Sequence, residues 1–310
     1  MAVRGLDATA FVVDGEPYTW HDVRAAAAAW GDWARQEAET ARAAALVAAA
    51  PPAEERVSAA AREFRYARDL ASGDDMRKWL DARGLVVGEW MDHVRRQVAR
   101  RAAAGVGAGA AAGAPERDVL VDAICGGLLE RTAHALAGRA ALGAAAGDAA
   151  RDDGADAAGR VARADVAYAR ACERLATPEA LAAQVGAHRL EWLTVECRVA
   201  RFASEPAARE AALCVRADGD ALASVAAEAR APVEVRRLVL EDAGALRSAL
   251  TGAAPGELLG PLELDGAPAL VEVLAKRVPD LADAAVRRRA ERAVLEGRMA
   301  AAVAERVRWM

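Results

Sequence analysis

Near Leu190 the periodicity of the chain changes, and that change limits the folds open to it. Upstream, apolar residues recur at helical spacing. Trp20, Val23, Ala27, Trp30 and Ala34 predict a helix capped by Thr19 that runs to about Ala50, where Pro51-Pro52 ends it. Val57, Ala61, Phe64 and Ala67 mark a second helix over about 53–70. Ser72 caps a short one carrying Met76, Trp79 and Leu80, closed by Gly84. Val87, Trp90, Met91, Val94 and Val98 mark a helix over about 87–103, and 116–141 reads as one more, with Gly126-Gly127 in its middle. Val161, Asp165, Tyr168, Cys172 and Leu175 follow, and Thr177-Pro178-Glu179 opens another helix with a hydroxyl cap and a first-turn proline. Residues 104–115 and 143–159 read as Gly/Ala-rich linkers. Ahead of the helices, Phe11-Val12-Val13, the turn dipeptide Asp14-Gly15 and Tyr18 read as extended chain with a tight turn.

Downstream the pattern is different. Trp192 to Val199 is rich in strand formers. Two helices are expected over about 205–215 and 221–230, then extended chain over 233–240. Residues 258–264 and 270–274 read as paired strands about Asp265-Gly266-Ala267-Pro268, with Glu263 and Glu272 on a wet face. A closing helix over about 283–307 carries a small-residue heptad seam: Val286, Ala290, Ala293, Gly297, Ala300, Ala304 and Val307. The expected fold class is α+β, mostly α. A helical region (1–188) is followed by a β-α-α-β-β unit (189–279) and a C-terminal helix (280–310) that packs back on the helical region.

Composition excludes several function classes. With 41 basic and 46 acidic residues the net charge is −5, which is no footprint for nucleic acid. No apolar run reaches the length of a membrane span. Met1 to Trp20 carries no secretory signal pattern, so a cytoplasmic protein is expected. Cys125, Cys172, Cys197 and Cys214 form no CxxC pair and suit a reducing compartment as small apolar residues. No phosphate-binding loop, dinucleotide fingerprint, HExxH or GxSxG motif occurs. His21, His93, His134 and His188 are scattered and expected at the surface or at helix ends. Cys125, Glu130 and His134 lie near one helix face but lack a fourth ligand, so no metal and no cofactor is expected.

The segment 190–279 resembles a parvulin domain. Ala254-Pro255-Gly256-Glu257-Leu258-Leu259-Gly260-Pro261-Leu262 is similar to the segment that leads into that family's last strands. Leu270 to Arg277 resembles the following strand, which ends in a basic pair. Arg198-Val199-Ala200-Arg201-Phe202 and the helix with Ala208-Arg209-Glu210-Ala211 resemble the opening strand and its helix. Phe11 to Thr19 resembles the start of SurA-type N-terminal regions, and the whole layout resembles the SurA/PpiC peptidyl-prolyl isomerases. Glu63-Phe64-Arg65, Trp79 to Leu85 and Val307-Arg308-Trp309 are similar to PpiC-related proteins found beside bacterial peptide-modification systems, a peptide-maturation subfamily.

The departures from that pattern decide the expected function. Parvulins place a histidine on the first strand and another on the last; this chain offers Val199 and about Ala269, and no histidine follows His188. The resemblance therefore implies a peptide-binding surface on a degenerate parvulin-like domain without the catalysis. The expected function is a non-catalytic peptide-binding chaperone or accessory protein, acting in maturation of a ribosomally made peptide. The competing readings are an isomerase with an atypical site, using Cys197 or Cys214, and a scaffold or dimerisation protein. Expected partners are an extended or precursor peptide, a peptide-modifying enzyme and a second copy of the chain; no nucleic acid or membrane is expected. Trp30, Trp33, Trp192, Val199, Phe202 and Leu270 are the expected peptide-binding residues.

Overall fold

The computed structural model describes residues 6–103, 113–147 and 155–310. Thr9–Val13 (β1) and Glu16–Thr19 (β2) pair as a hairpin about Asp14-Gly15, both with positive φ. Thr19 then caps α1 (Trp20–Ala29) through a capping box: its hydroxyl accepts from the Asp22 N–H, and the Asp22 carboxylate accepts from the Thr19 N–H. The helix expected to reach Ala50 is broken at Gly31, whose φ of 80° is left-handed, and α2 (Asp32–Ala49) starts afresh. The spacing of Trp30 and Ala34 continues the apolar stripe across the break, which hides it from periodicity. Then come α3 (Glu54–Tyr66), α4 (Gly73–Ala82, capped by Ser72) and α5 (Val87–Ala102).

The helix expected over 116–141 is likewise two, α6 (Glu116–Cys125) and α7 (Leu128–Ala145), divided by Gly127 at φ 73°. The linker expected at 143–159 begins inside α7 and ends inside α8 (Ala157–Leu175). Gly143 is buried because α7 and α8 cross closely there: a Cβ on it would stand 2.7 Å from the Ala167 Cβ. Residues 148–154 of that segment, and 104–112 of the earlier one, lie outside the described residues.

After α9 (Pro178–Ala187) come β3 (Thr194–Arg201) and α10 (Glu205–Leu213), which is prolonged by a π-helical turn, Cys214–Asp218. α11 (Leu222–Glu228), β4 (Val233–Val239), α12 (Arg247–Gly252), β5 (Leu258–Leu264) and β6 (Ala267–Arg277) follow. α13 (Ala284–Arg306) leads into β7 (Val307–Trp309), a strand where the closing helix was expected to end. The fold is α+β and mostly α.

The chain forms two compact units. One holds the residues through Arg174 together with those from Gly297 on; the other is Leu175–Glu296. In the first, β7 adds to the N-terminal hairpin to make a sheet of order β2-β1-β7. Phe11, Tyr18, Val23, Leu129, Leu136, Ala140 and Val161 fill one core. Val57, Phe64, Met76, Leu80, Trp90 and Val94 fill a second.

The second unit is an antiparallel sheet of order β4-β3-β6-β5 with helices on both faces. It is larger than the expected 189–279. α9 and the first half of α13 bury Leu181, Val286, Ala290 and Val294 around Trp192 at one end of it, so they belong to its core rather than to a helical region of 1–188 or a separate 280–310 helix. The heptad seam of α13 is also corrected. Val286, Ala290 and Val294 are buried in the core around Trp192 and Ala302 in the core of the first unit, while Gly297, Ala300 and Ala304 are exposed. At about 100° per residue Val286 and Ala302 lie on nearly opposite sides of the helix, so its two halves bury different faces and no single seven-residue seam runs its length.

Candidate functional site

The positions where a parvulin would carry histidines lie inside an aliphatic core. In the register of β3 with β6, Val199 faces Val271 and Arg201 faces Ala269. Alternation puts Val195, Cys197, Val199, Ala269, Val271 and Val273 on one face of the sheet, under Leu240, Leu246 and Leu250. Ala200 and Leu270 point to the other face, where Phe202, Ala211, Leu222 and Val225 cover them. Val199, Ala269 and Leu270 are fully buried, and Phe202 and Trp192 nearly so. Four expected peptide-binding residues, Trp192, Val199, Phe202 and Leu270, are therefore corrected to core residues. The physical reason is that this sheet has a helical cover on each face, so strand alternation selects between two cores and not between core and groove. Cys197 is enclosed in the same core, and burial pushes its thiol pKa up, away from the reactive thiolate.

Trp30 and Trp33 are half-buried in the first unit. The Trp30 indole N–H donates to the Asp165 carboxylate at 2.9 Å, and the Arg139 guanidinium lies 4.1 Å from its ring centroid. Arg24 lies over the Trp33 ring at 5.5 Å and pairs with Glu116 at 2.6 Å. A cleft of about 380 Å³ opens beside Trp30, and its other walls mix charged and polar side chains, among them Asp32, Arg35, Gln36 and Arg131, with the apolar Leu128 and Ala135. Trp33 is not among its lining residues.

The surface that sequence reasoning missed is an edge of the sheet. β4 pairs with β3 on one side only. The Leu240 N–H donates to the Leu193 carbonyl and the Arg201 N–H to the Pro232 carbonyl. Antiparallel pairing alternates, so Glu234, Arg236 and Leu238 turn their backbone groups to β3, and Val233, Val235, Arg237 and Val239 turn theirs outward. Val233, Glu234, Val235 and Arg237 are all exposed, with Val235 at 59 %. Beyond them Val239 packs into the core around Trp192, so the open stretch is Val233–Arg237. Arg236 lies among acids: its guanidinium donates to Glu234 at 2.6 Å and to Asp265 at 3.0 Å, and Arg201 joins both acids at 2.9 Å. On the opposite face Arg198 pairs with Glu272, and Arg237 with Asp283 at 3.2 Å.

The other edge, β5, is closed. The Val273 N–H donates to the Glu257 carbonyl, so the carbonyls of Leu258 and Gly260 face outward. Both accept from Arg216 Nη2, at 3.1 and 2.8 Å. Pro261 follows and has no N–H to offer. Arg216 reaches these carbonyls from the π-helical turn that prolongs α10. A guanidinium and a proline thus stand where a neighbouring strand would pair. The signal for the open edge was in the sequence, as the exposed alternation Val233-Glu234-Val235-Arg236. The signal for its closed counterpart was not, because Arg216 lies far from β5 along the chain.

The histidines also needed correction. His93 is buried, not at a surface, in a polar cluster of the first unit. The Asp122 carboxylate accepts from His93 Nδ1 (2.8 Å), from Arg96 Nε and Nη2 (3.1 and 2.7 Å) and from the Thr40 hydroxyl (3.0 Å). Burial alone would raise the Asp122 pKa, but the hydrogen bonds from His93 and Arg96 outweigh it and hold the carboxyl below its usual range. The cluster joins α2, α5 and α6 and none of its members lines the Trp30 cleft, so it braces these helices. Cys125, Glu130 and His134 do not converge: Cys125 is core, and the His134 ring lies tilted against Trp309, centroids 4.3 Å apart. Among the described residues no group of His, Cys, Asp and Glu is arranged to hold a metal ion. No described helix is long and apolar enough to cross a membrane.

No protein-family model and no curated protein sequence matches the chain. Among solved structures it is similar to one reported for two SurA-like chaperones of Campylobacter jejuni, the virulence factor PEB4 and the periplasmic protein Cj1289. The identity is 10% over 98% of this chain and 99% of that one, with a TM-score of 0.19, so the functional reading rests on the residues described above.

Proposed function

We propose that the protein is a non-catalytic peptide-binding chaperone or accessory protein that takes an extended segment by strand addition along the outer edge of β4. The observation that carries this reading is the open stretch Val233–Arg237, with outward backbone groups at 233, 235 and 237 and exposed valines between charged residues. Main-chain hydrogen bonds would supply affinity and the alternate side chains selectivity. The closed β5 edge limits the sheet to one acceptor strand. Candidate clients are the precursor of a ribosomally made peptide, presented to a peptide-modifying enzyme. The four unpaired cysteines support a reducing, cytoplasmic setting.

Absence of catalysis is part of the reading. Isomerisation must lower a barrier of ~18–20 kcal/mol, and the strand positions that resemble the family's histidine sites hold Val199 and Ala269, both fully buried; the polar side chains opposite them on the neighbouring strands, Glu234 and Arg201, are ion-paired to each other. The test is a prolyl-isomerisation assay on a model peptide, run beside a binding titration with unfolded or extended peptides. Binding without acceleration is expected, and amide shifts on binding should centre on Val233–Arg237. Acceleration abolished by changing Cys197 or Cys214 would instead establish the isomerase reading. Loss of binding on changing Trp30, with β4 variants silent, would move the site to the other unit.

A further inference from the structure

The exposed run of β4 has nearly the same chemistry in both directions. Val235 stands at its centre, with Glu234 on one side and Arg236 on the other, then Val233 and Arg237. Consider this strand paired antiparallel with a second copy of itself across a two-fold axis at Val235. Each Val235 then faces its counterpart, Glu234 lies opposite the second copy's Arg236, and Val233 lies opposite the second copy's Arg237. The residues whose backbone groups point outward, 233, 235 and 237, oppose one another, so the ladder closes with about six inter-strand hydrogen bonds. Glu234 and Arg236 fall at the non-hydrogen-bonded pairs, where opposing side chains stand closest.

Neighbouring registers are worse. An axis at residue 234 sets Glu234 against Glu234, and axes at 236 and 237 set arginine against arginine; like charges directly opposite each other destabilise a sheet. An axis at 233 loses the Glu234–Arg236 complement. The register that matches charges is also the one centred on the exposed stretch, since Val239 is already packed inward.

From this self-complementarity we propose that two copies of the chain pair through β4 into a two-fold dimer with one continuous eight-stranded sheet, and that this dimer covers the peptide-accepting edge. The regulatory half rests on the strand-addition reading; the dimer itself does not. Free edge is then set by mass action, so the apparent peptide affinity falls as protein concentration rises.

The test is the solution mass of the full chain as a function of concentration, for wild type, Glu234→Arg, Arg236→Glu and the double swap E234R/R236E. Wild type is expected to rise to twice 32.3 kDa. Each single reversal puts like charges opposite each other and is expected to stay at 32.3 kDa. The double swap restores opposite charges and should dimerise again. An equimolar mixture of the two single variants should also dimerise, since an Arg/Arg strand then meets a Glu/Glu strand. Circular dichroism checks that each variant is folded, and Val235→Lys serves as a second edge variant if a reversal is not. A wild type that stays monomeric at all concentrations, single reversals that stay dimeric, or a mixture that fails to pair overturns the dimer. Peptide should bind wild type diluted to its monomer, with an apparent affinity that falls as protein concentration rises into the dimer range. Failure of every peptide to bind the wild-type monomer overturns the strand-addition reading and leaves the dimer standing.

Discussion

Proline placed at two adjacent positions of β4 separates the role of the open edge from the role of the strand. The Val235 N–H points away from β3, so Val235→Pro removes no hydrogen bond of the native sheet. What it removes is a donor to any added strand, worth about 0.5–1.5 kcal/mol, and its ring also holds an incoming backbone away from the edge. Together these should weaken extended-peptide binding by about tenfold or more, since 1.4 kcal/mol is a factor of ten. Arg236→Pro is the contrasting case. Its N–H faces β3, opposite Cys197, which is fully buried. Losing it leaves the Cys197 carbonyl without its partner inside the sheet, at about 1–3 kcal/mol of stability. Urea unfolding and fluorescence-anisotropy titration, run on both variants, check the pair. Val235→Pro should unfold close to wild type and bind poorly, whereas Arg236→Pro should unfold early. A Val235→Pro protein that binds peptide as tightly as wild type, or that is as destabilised as Arg236→Pro, would refute the assignment of outward and inward groups.

Asp122→Ala should cost about 3 kcal/mol, because it leaves Arg96 charged and buried with only the more distant Asp118, at 3.6 Å, to balance it; chemical denaturation measures it. Because the folded-state pKa of Asp122 is depressed, its contribution is present above the unfolded value of about 3.9 and lost as pH falls through the folded value. Asp122→Asn should therefore lack that part of the acid limb in a pH–stability profile. Thiol titration of the folded protein should modify the half-exposed Cys172 and Cys214 and spare Cys125 and Cys197, with burial raising Cys125 to about 12; all four should react in denaturant. Arg216→Ala combined with Pro261→Val frees the carbonyls of Leu258 and Gly260, restores a donor to β5 and should create a second strand acceptor, read by calorimetry as peptide stoichiometry rising from about one to about two per chain.

The helices and strands announced themselves wherever one residue type forces one local geometry. Thr19, Ser72 and Thr177 cap the helices predicted from them, and Asp14-Gly15 turns the first hairpin. The helix breaks at Gly31 and Gly127 were harder, because the apolar stripe runs on across each glycine while the backbone turns left-handed. Gly143 shows the opposite error: a glycine read as a linker signal is there because α7 and α8 touch. At the candidate site, strand alternation identified Val199 and Leu270 as apolar positions on a sheet but could not say that both faces are covered. The alternation Val233-Glu234-Val235-Arg236 marks β4 as a strand with charged residues on one face, but that its outer backbone edge is free follows only from the pairing of all four strands.

β7 pairs with β1, and Arg306 reaches Asp14 at 2.6 Å, so the first unit is completed by residues that leave the ribosome after the whole of Leu175–Glu296. The intervening segment is in effect an inserted domain. Leu175 at its entrance and Val294 near its exit meet in the same apolar cluster, so folding of the insert ties together the two chain ends that must return to the first unit. A long excursion is thereby replaced by a short one before the N-terminal sheet is closed, which lowers the loop-closure entropy of that last step. The order of events is fixed by connectivity: the unit that begins first in the chain is finished last. Until β7 arrives, β1 is itself an unpaired edge on a nascent chain.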